Sequence, residues 1–202
     1  MSHLRTLRRC VRRPRRLAKR PQAKCARVSV LARSHAAQQA ILAVGNLRLH
    51  CALGRSGSRV AKREGDGATP IGIWHPVRIF YRADRQSRPL SSLPIKRLKP
   101  EDGWCDATMN RNYNRFVRLP YSASAENLWR SDHVYDIVVV LDHNTRPRRR
   151  HCGSAIFVHL ARPDFTPTEG CIALTRRDLC LLLASISRRT RFAVHSTSRP
   201  SA

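Results

Sequence analysis

The chain has 202 residues and a formal net charge of +26, from 39 Lys and Arg against 13 Asp and Glu. Hydrophobic residues make up 42%, which supports a packed core and excludes a wholly disordered chain. No apolar run reaches the roughly 20 residues of a membrane-spanning helix. The positive field favours anionic partners: nucleic acid, anionic lipid, or phosphorylated or carboxylated glycans.

Residues 1–40 differ in texture from the rest. Arg8-Arg9, Arg12-Arg13 and Arg15-Arg16 follow in quick succession, and no acidic residue precedes Glu64. Two readings fit: a disordered basic arm, or translated sequence ahead of the true start. A secretory signal needs an apolar run of about 7–15 residues. Val28-Ser29-Val30-Leu31-Ala32 is shorter and runs into Arg33. Without interleaved aromatics or a recognisable binding module, the arm predicts no specific nucleic-acid reader.

A folded domain is expected over residues 41–197; about 160 residues bury roughly two-thirds of their unfolded surface. Ile41–Val44 and Leu47–Leu53 flank Gly45-Asn46, a hairpin turn signal. A glycine-rich loop runs from Gly54 to Gly72. Ile73-Trp74 and Val77–Tyr81 read as strand. Residues 82–133, rich in Pro, Asn, Ser and Asp, read mostly as loop, and so long an irregular stretch points to function, such as a lid. Ile137–Leu141 and Ala155–His159 have the β-branched or apolar character of buried strands. Thr175, with Asp178 three residues on, opens a helix. Leu179, Leu182, Leu183 and Ile186 recur at helical spacing, and Arg188-Arg189 are expected to close it at the negative end of the dipole. Arg191–His195 reads as a last strand. Many short strands and one late helix predict a mainly-β, sandwich-like domain.

Chemistry concentrates at His159 and Cys171. The first ends an apolar strand; the second follows Gly170 at the start of another apolar run. A thiolate is a strong nucleophile, and a histidine in reach takes the thiol proton for covalent acyl transfer. Gly170 lets backbones approach, and its N–H is a candidate oxyanion donor. Taken singly, each residue reads equally as core: free cysteine is among the most buried types. Seven cysteines are present, Cys10, Cys25, Cys51, Cys105, Cys152, Cys171 and Cys180. The odd number leaves at least one unpaired in a monomer, and the spacings match neither a C-x-x-C pair nor a common zinc pattern, so no metal is expected.

Together, Ile156–His159 and Thr168-Glu169-Gly170-Cys171-Ile172-Ala173-Leu174 resemble the catalytic motif of the L,D-transpeptidase family (the YkuD-type domain). Gly65-Asp66-Gly67-Ala68-Thr69-Pro70-Ile71-Gly72 is similar to that family's Thr-Pro-x-Gly turn, in the right order and separation. Gly103–Asp106, Tyr113–Arg115, Leu128-Trp129 and Tyr135–Val140 resemble one branch of it. Glu169 stands where the family has histidine before Gly-Cys, and Ala173 where many members have Arg. The His-to-Cys separation is also somewhat short.

The resemblance implies a β-sandwich with a long irregular insertion and a helix after the cysteine. It implies Cys171 as nucleophile, His159 as base and acid, and no cofactor. Thr69, Pro70, Gly72, Thr168, Glu169, Trp104 and Tyr113 would shape the substrate cleft. For Glu169 the choices are orienting a histidine, binding a substrate amine, or facing solvent. The implied substrates are peptidoglycan stem peptides, with a second stem or a protein lysine as acceptor, in the periplasm or cell envelope. Hydrolysis (an L,D-carboxypeptidase) and a non-catalytic domain binding peptidoglycan or a polyanion remain as alternatives.

Overall fold

The computed structural model describes residues 24–196. Its main sheet has ten strands: β1 (Arg27–Ala32), β2 (Gln39–Val44), β3 (Leu47–Ala52), β6 (Gly72–Trp74), β7 (Pro76–Tyr81), β8 (Ile95–Arg97), β12 (Ile137–Leu141), β13 (Phe157–Leu160), β14 (Ile172–Leu174) and β15 (Arg191–Ser196). Their order is β6-β15-β1-β2-β3-β14-β13-β12-β7-β8. A three-stranded sheet orders β10 (Arg115–Arg118), β9 (Asp102–Cys105) and β11 (Ala125–Asn127). The short β4 (Ser58–Arg59) and β5 (Thr69–Pro70) pair with each other.

Successive side chains on a strand point to opposite faces, and the central strands use this to serve two cores. From β12, Ile137, Val139 and Leu141 enter the larger core, while Val138 and Val140 enter the smaller one. On β13, Val158 and Leu160 face the first and Phe157 the second. The helix α1 (Arg176–Ser185) packs Leu179, Leu182 and Leu183 into the larger core. Trp104 and Leu128, from the three-stranded sheet and its edge, close the smaller one. The architecture is mainly β and layered, with one helix after the cysteine, as the sequence predicts.

Three boundaries differ from the sequence reading. The domain begins before residue 41: β1 pairs in parallel with β15 and antiparallel with β2, burying Val28, Val30 and Ala32. Its outer Arg27 stays exposed, its guanidinium 3.0 Å from His195 Nε2. Charge on the outer face therefore coexists with an apolar inner face. Residues 1–23 of the expected arm lie outside the described residues. Second, the stretch 82–133 is mostly irregular, as expected, yet holds four short strands; β9 is buried throughout and pairs with β10 and β11. Third, α1 ends at Ser185 with no basic residue in its last turn, so Arg188 and Arg189 lie beyond its dipole end. Its start is as expected: the Thr175 hydroxyl accepts from Asp178 N at 3.1 Å. No helix of the described residues is long and apolar enough to cross a membrane.

Candidate active site

β13 and β14 run parallel, with Val158 opposite Ile172 and His159 opposite Ala173. Cys171 immediately precedes β14. Alternation puts Cys171, Ala173, Phe157 and His159 on one face, the side of the smaller core. Both Cys171 and His159 are buried, at 7% and 5% exposure, and both line a cleft of about 420 Å³.

The Cys171 thiol donates to the Ala155 carbonyl at 3.2 Å, and Phe157 N–H points at the sulfur from 3.4 Å. Among the described residues no hydrogen bond joins the sulfur to His159. Burial, with Glu126 adding a like charge, pushes the thiol up to about 12. His159 Nδ1 lies 2.9 Å from the Leu160 carbonyl. A carbonyl only accepts, so Nδ1 carries the proton and Nε2 keeps its lone pair. Burial pulls His159 down to about 4, against the hydrogen bond to Leu160. The resting pair is therefore a neutral thiol beside a neutral imidazole.

The loop before the cysteine is held by Thr168. Its hydroxyl accepts from Gly170 N at 3.1 Å and donates to the Cys171 carbonyl at 2.7 Å. Its own backbone bonds Leu53 O and Arg55 N. Gly170 N–H is thus occupied in this state, in place of the expected oxyanion role. Gly170 is required for another reason: its φ is +130°, and a Cβ there would sit 2.7 Å from the Ala68 carbonyl.

The Thr-Pro-x-Gly turn acts one step removed. Thr69 is fully buried and its hydroxyl accepts from Gly54 N at 2.9 Å; Gly54 in turn bridges to Thr168. Pro70 accepts from the Trp74 indole at 3.3 Å. Gly72, at φ +150°, leaves room for the Trp74 ring. None of the three lines the cleft. Trp104 sits in the smaller core, edge-on to Phe157 at 5.2 Å. Tyr113 is buried and donates to the Glu64 carboxylate, which does line the cleft. Trp104 and Tyr113 are thus anchors beneath the site and not a lid. Glu169 is 76% exposed at the rim and pairs with Arg55 at 2.8 Å.

Four neighbours are not among the site residues that the sequence suggests, although Asp106, Asn114 and Tyr135 fall in its family-like segments. Tyr135 packs edge-on against both Phe157 and His159 and donates to Glu126 at 2.6 Å. Burial raises the Glu126 carboxyl above its usual range. Asp106 lines the same cleft, and its Oδ1 is buried without a hydrogen-bond partner among the described residues. Asn114 braces the wall: its Oδ1 accepts from Trp104 Nε1 and Ala155 N, and its Nδ2 donates to the His143 and Asn144 carbonyls. Arg130 and Arg162 line the same cleft and both pair with Asp132, and Arg130 stands 4.0 Å from Glu126. Arg176 bonds Asp136 and is committed away from the sulfur.

The arrangement suits nucleophilic attack by sulfur with proton transfer through a fixed imidazole. No curated protein matches the chain. Among solved structures, L,D-transpeptidase 1 of Mycobacterium tuberculosis is similar at 13% identity and a TM-score of 0.37. That similarity covers 83% of this chain and 60% of the other, so the chain spans less than two-thirds of that structure's length. The family model for the L,D-transpeptidase catalytic domain (YkuD) matches residues 31–194. With most of its length inside that match, the chain belongs to the L,D-transpeptidase catalytic-domain family.

Proposed function

We propose that this chain is a cysteine-dependent acyltransferase that acts on peptidoglycan stem peptides in the periplasm or cell envelope. The observation that carries the reading is the placement of Cys171 and His159 on one face of adjacent strands, opening into one cleft. The donor is a tetrapeptide stem ending in D-alanine. As the Cys171 sulfur bonds the carbonyl carbon before that residue, its proton passes to His159 Nε2. The imidazolium then protonates the departing D-alanine amine, leaving a thioester. An amine from a second stem, or a protein lysine, attacks the thioester while His159 takes its proton, and the thiol is restored. All steps use protein groups and substrate alone.

Charge of both signs lines the cleft and supports a substrate that carries carboxylates and an amine. Arg130 and Arg162 offer cations to the donor's carboxylates. Asp106, Glu126 and Glu64 line the cleft as carboxyl groups suited to an acceptor ammonium. The unpartnered Asp106 oxygen favours an amine acceptor over water, and so transfer over hydrolysis.

Intact-protein mass spectrometry with a disaccharide-tetrapeptide, with and without an amine acceptor, tests this. The expected result is D-alanine release, an adduct absent in Cys171→Ala, and a cross-linked product only with acceptor. Release without transfer indicates a carboxypeptidase. A folded protein with neither adduct nor release refutes acyl transfer.

A further inference from the structure

A second cleft, of about 540 Å³, is lined by Trp104 and Asn114 and shares no lining residue with the cleft of Cys171. Five arginines line it: Arg78 from β7, Arg115 from β10, Arg146 and Arg148 from the loop after β12, and Arg188 beyond α1. None of the five guanidiniums has a carboxylate or hydrogen-bond partner among the described residues. Elsewhere in the molecule Arg82, Arg85, Arg118 and Arg130 each face a carboxylate at hydrogen-bond distance. The one acid lining this cleft, Asp142, is already committed to His75, accepting from its backbone N–H at 2.7 Å.

Arg148 Nε is buried from solvent with no partner among the described residues. A buried donor left unpaired is destabilising, and an oxyanion in the cleft would satisfy it. Burial, with Arg115 as a like charge, also pulls the Arg148 guanidinium below its ordinary range. The apolar floor includes Phe80, stacked on Phe116 at 5.6 Å. Planar guanidiniums pair with phosphate oxygens through two parallel hydrogen bonds. Several cations around one concave site suit a dense, multiply charged anion better than a single carboxylate.

We propose that this arginine-lined cleft is a binding site for a phosphate-bearing ligand, separate from the cleft that holds Cys171. The phosphate can belong to a soluble phosphorylated compound or to a lipid headgroup, and the two are separable.

Calorimetry of the full chain with inorganic pyrophosphate tests the site. Sedimentation with phosphatidylglycerol vesicles, against phosphatidylcholine vesicles, tests the lipid source. The variant Arg115→Gln/Arg146→Gln/Arg188→Gln removes three of the cations. The control Arg59→Gln/Arg63→Gln/Arg177→Gln removes the same charge from exposed positions elsewhere. The expected result is saturable pyrophosphate binding that weakens at least about tenfold in the cleft variant and stays within about twofold in the control. A parallel selective loss of phosphatidylglycerol binding assigns the ligand to lipid; vesicle binding equal in both variants assigns it to a soluble phosphate. Absence of saturable pyrophosphate binding, or equal weakening in both variants, overturns the proposal. D-Alanine release from the stem substrate, read in the same variants, keeps this outcome independent of the acyltransferase reading.

Discussion

The Cys171 thiol donates to the Ala155 carbonyl at 3.2 Å, so at rest it is held by backbone and not by His159. Ala155 holds a φ of +51°, uncommon for a residue with a Cβ, and Asn114 secures it by accepting its N–H at 3.1 Å. Because the thiol is pushed up to about 12, little thiolate exists near neutrality. Iodoacetamide at pH 7 is therefore expected to label exposed Cys180 faster than Cys171. The stem substrate, which brings its carbonyl beside His159, is expected to acylate Cys171 selectively. Site-resolved mass spectrometry compares the two; faster alkylation at Cys171 would contradict a protonated resting thiol. His159→Gln is expected to slow acylation by about 10²–10⁴ with the melting temperature nearly unchanged.

The low titration of His159 fixes an acid limb. A base near pKa 4 is unprotonated throughout the neutral range. Acylation is thus expected to be flat from about pH 5.5 to 8 and to fall toward pH 4. Stability follows the same group. Its folded pKa lies below the unfolded value, so its contribution is full above about pH 6.5 and is lost as pH falls toward 4. The gap from 6.5 to about 4 corresponds to about 3 kcal/mol. Urea titrations of wild type and His159→Gln at pH 7 and 4.5 measure it; the variant should lose less stability on acidification. An acylation profile with its midpoint near 6.5 would show a solvated histidine instead.

Thr168 ties the loop to the Cys171 backbone. Thr168→Val keeps shape but leaves Gly170 N–H and the Cys171 carbonyl without their partner. The expected cost is about 1–3 kcal/mol, with slower acylation because the Cys171 backbone is no longer fixed. Thr168→Ser keeps the hydroxyl and is expected to restore most of both. Denaturation midpoints and single-turnover acylation report the two effects; equal behaviour of the Val and Ser variants would refute the staple.

The strands that carry Cys171 and His159 are legible because each signal is local. Ile137–Leu141 announces a two-sided strand through its unbroken β-branched run, and all five residues are buried. Thr175 and Asp178 mark the helix start within one turn. What sequence could not supply is pairing between distant segments. β1 looks like part of a basic arm because its flanks are arginine, yet its partner β15 lies more than 160 residues away and buries Val28 and Val30. β9, with its short Asp-Gly-Trp-Cys run, becomes a strand only through β10 and β11. Glu126 has no motif of its own; its place near the thiol depends on the tertiary contact with Tyr135. A lone acid in a polar loop carries no signal of that kind.

Asp106 provides the sharpest test of transfer over hydrolysis. Its Oδ1 is buried without a partner among the described residues, and the residue lines the cleft that holds Cys171. If that oxygen receives the acceptor ammonium, Asp106→Asn removes the charge while keeping the shape. Charge-assisted hydrogen bonds contribute about 1.5–3 kcal/mol, so the KM for the amine is expected to rise by about tenfold to a hundredfold. The first half-reaction does not use the acceptor, and D-alanine release in a single turnover is expected to be unchanged. Water then competes better for the thioester, and the ratio of hydrolysed to cross-linked product should climb. Chromatographic analysis of stem products across acceptor concentrations reads all three quantities. An unchanged KM and product ratio would remove Asp106 from the acceptor side, and a matching fall in both half-reactions would make it a structural support of the cleft.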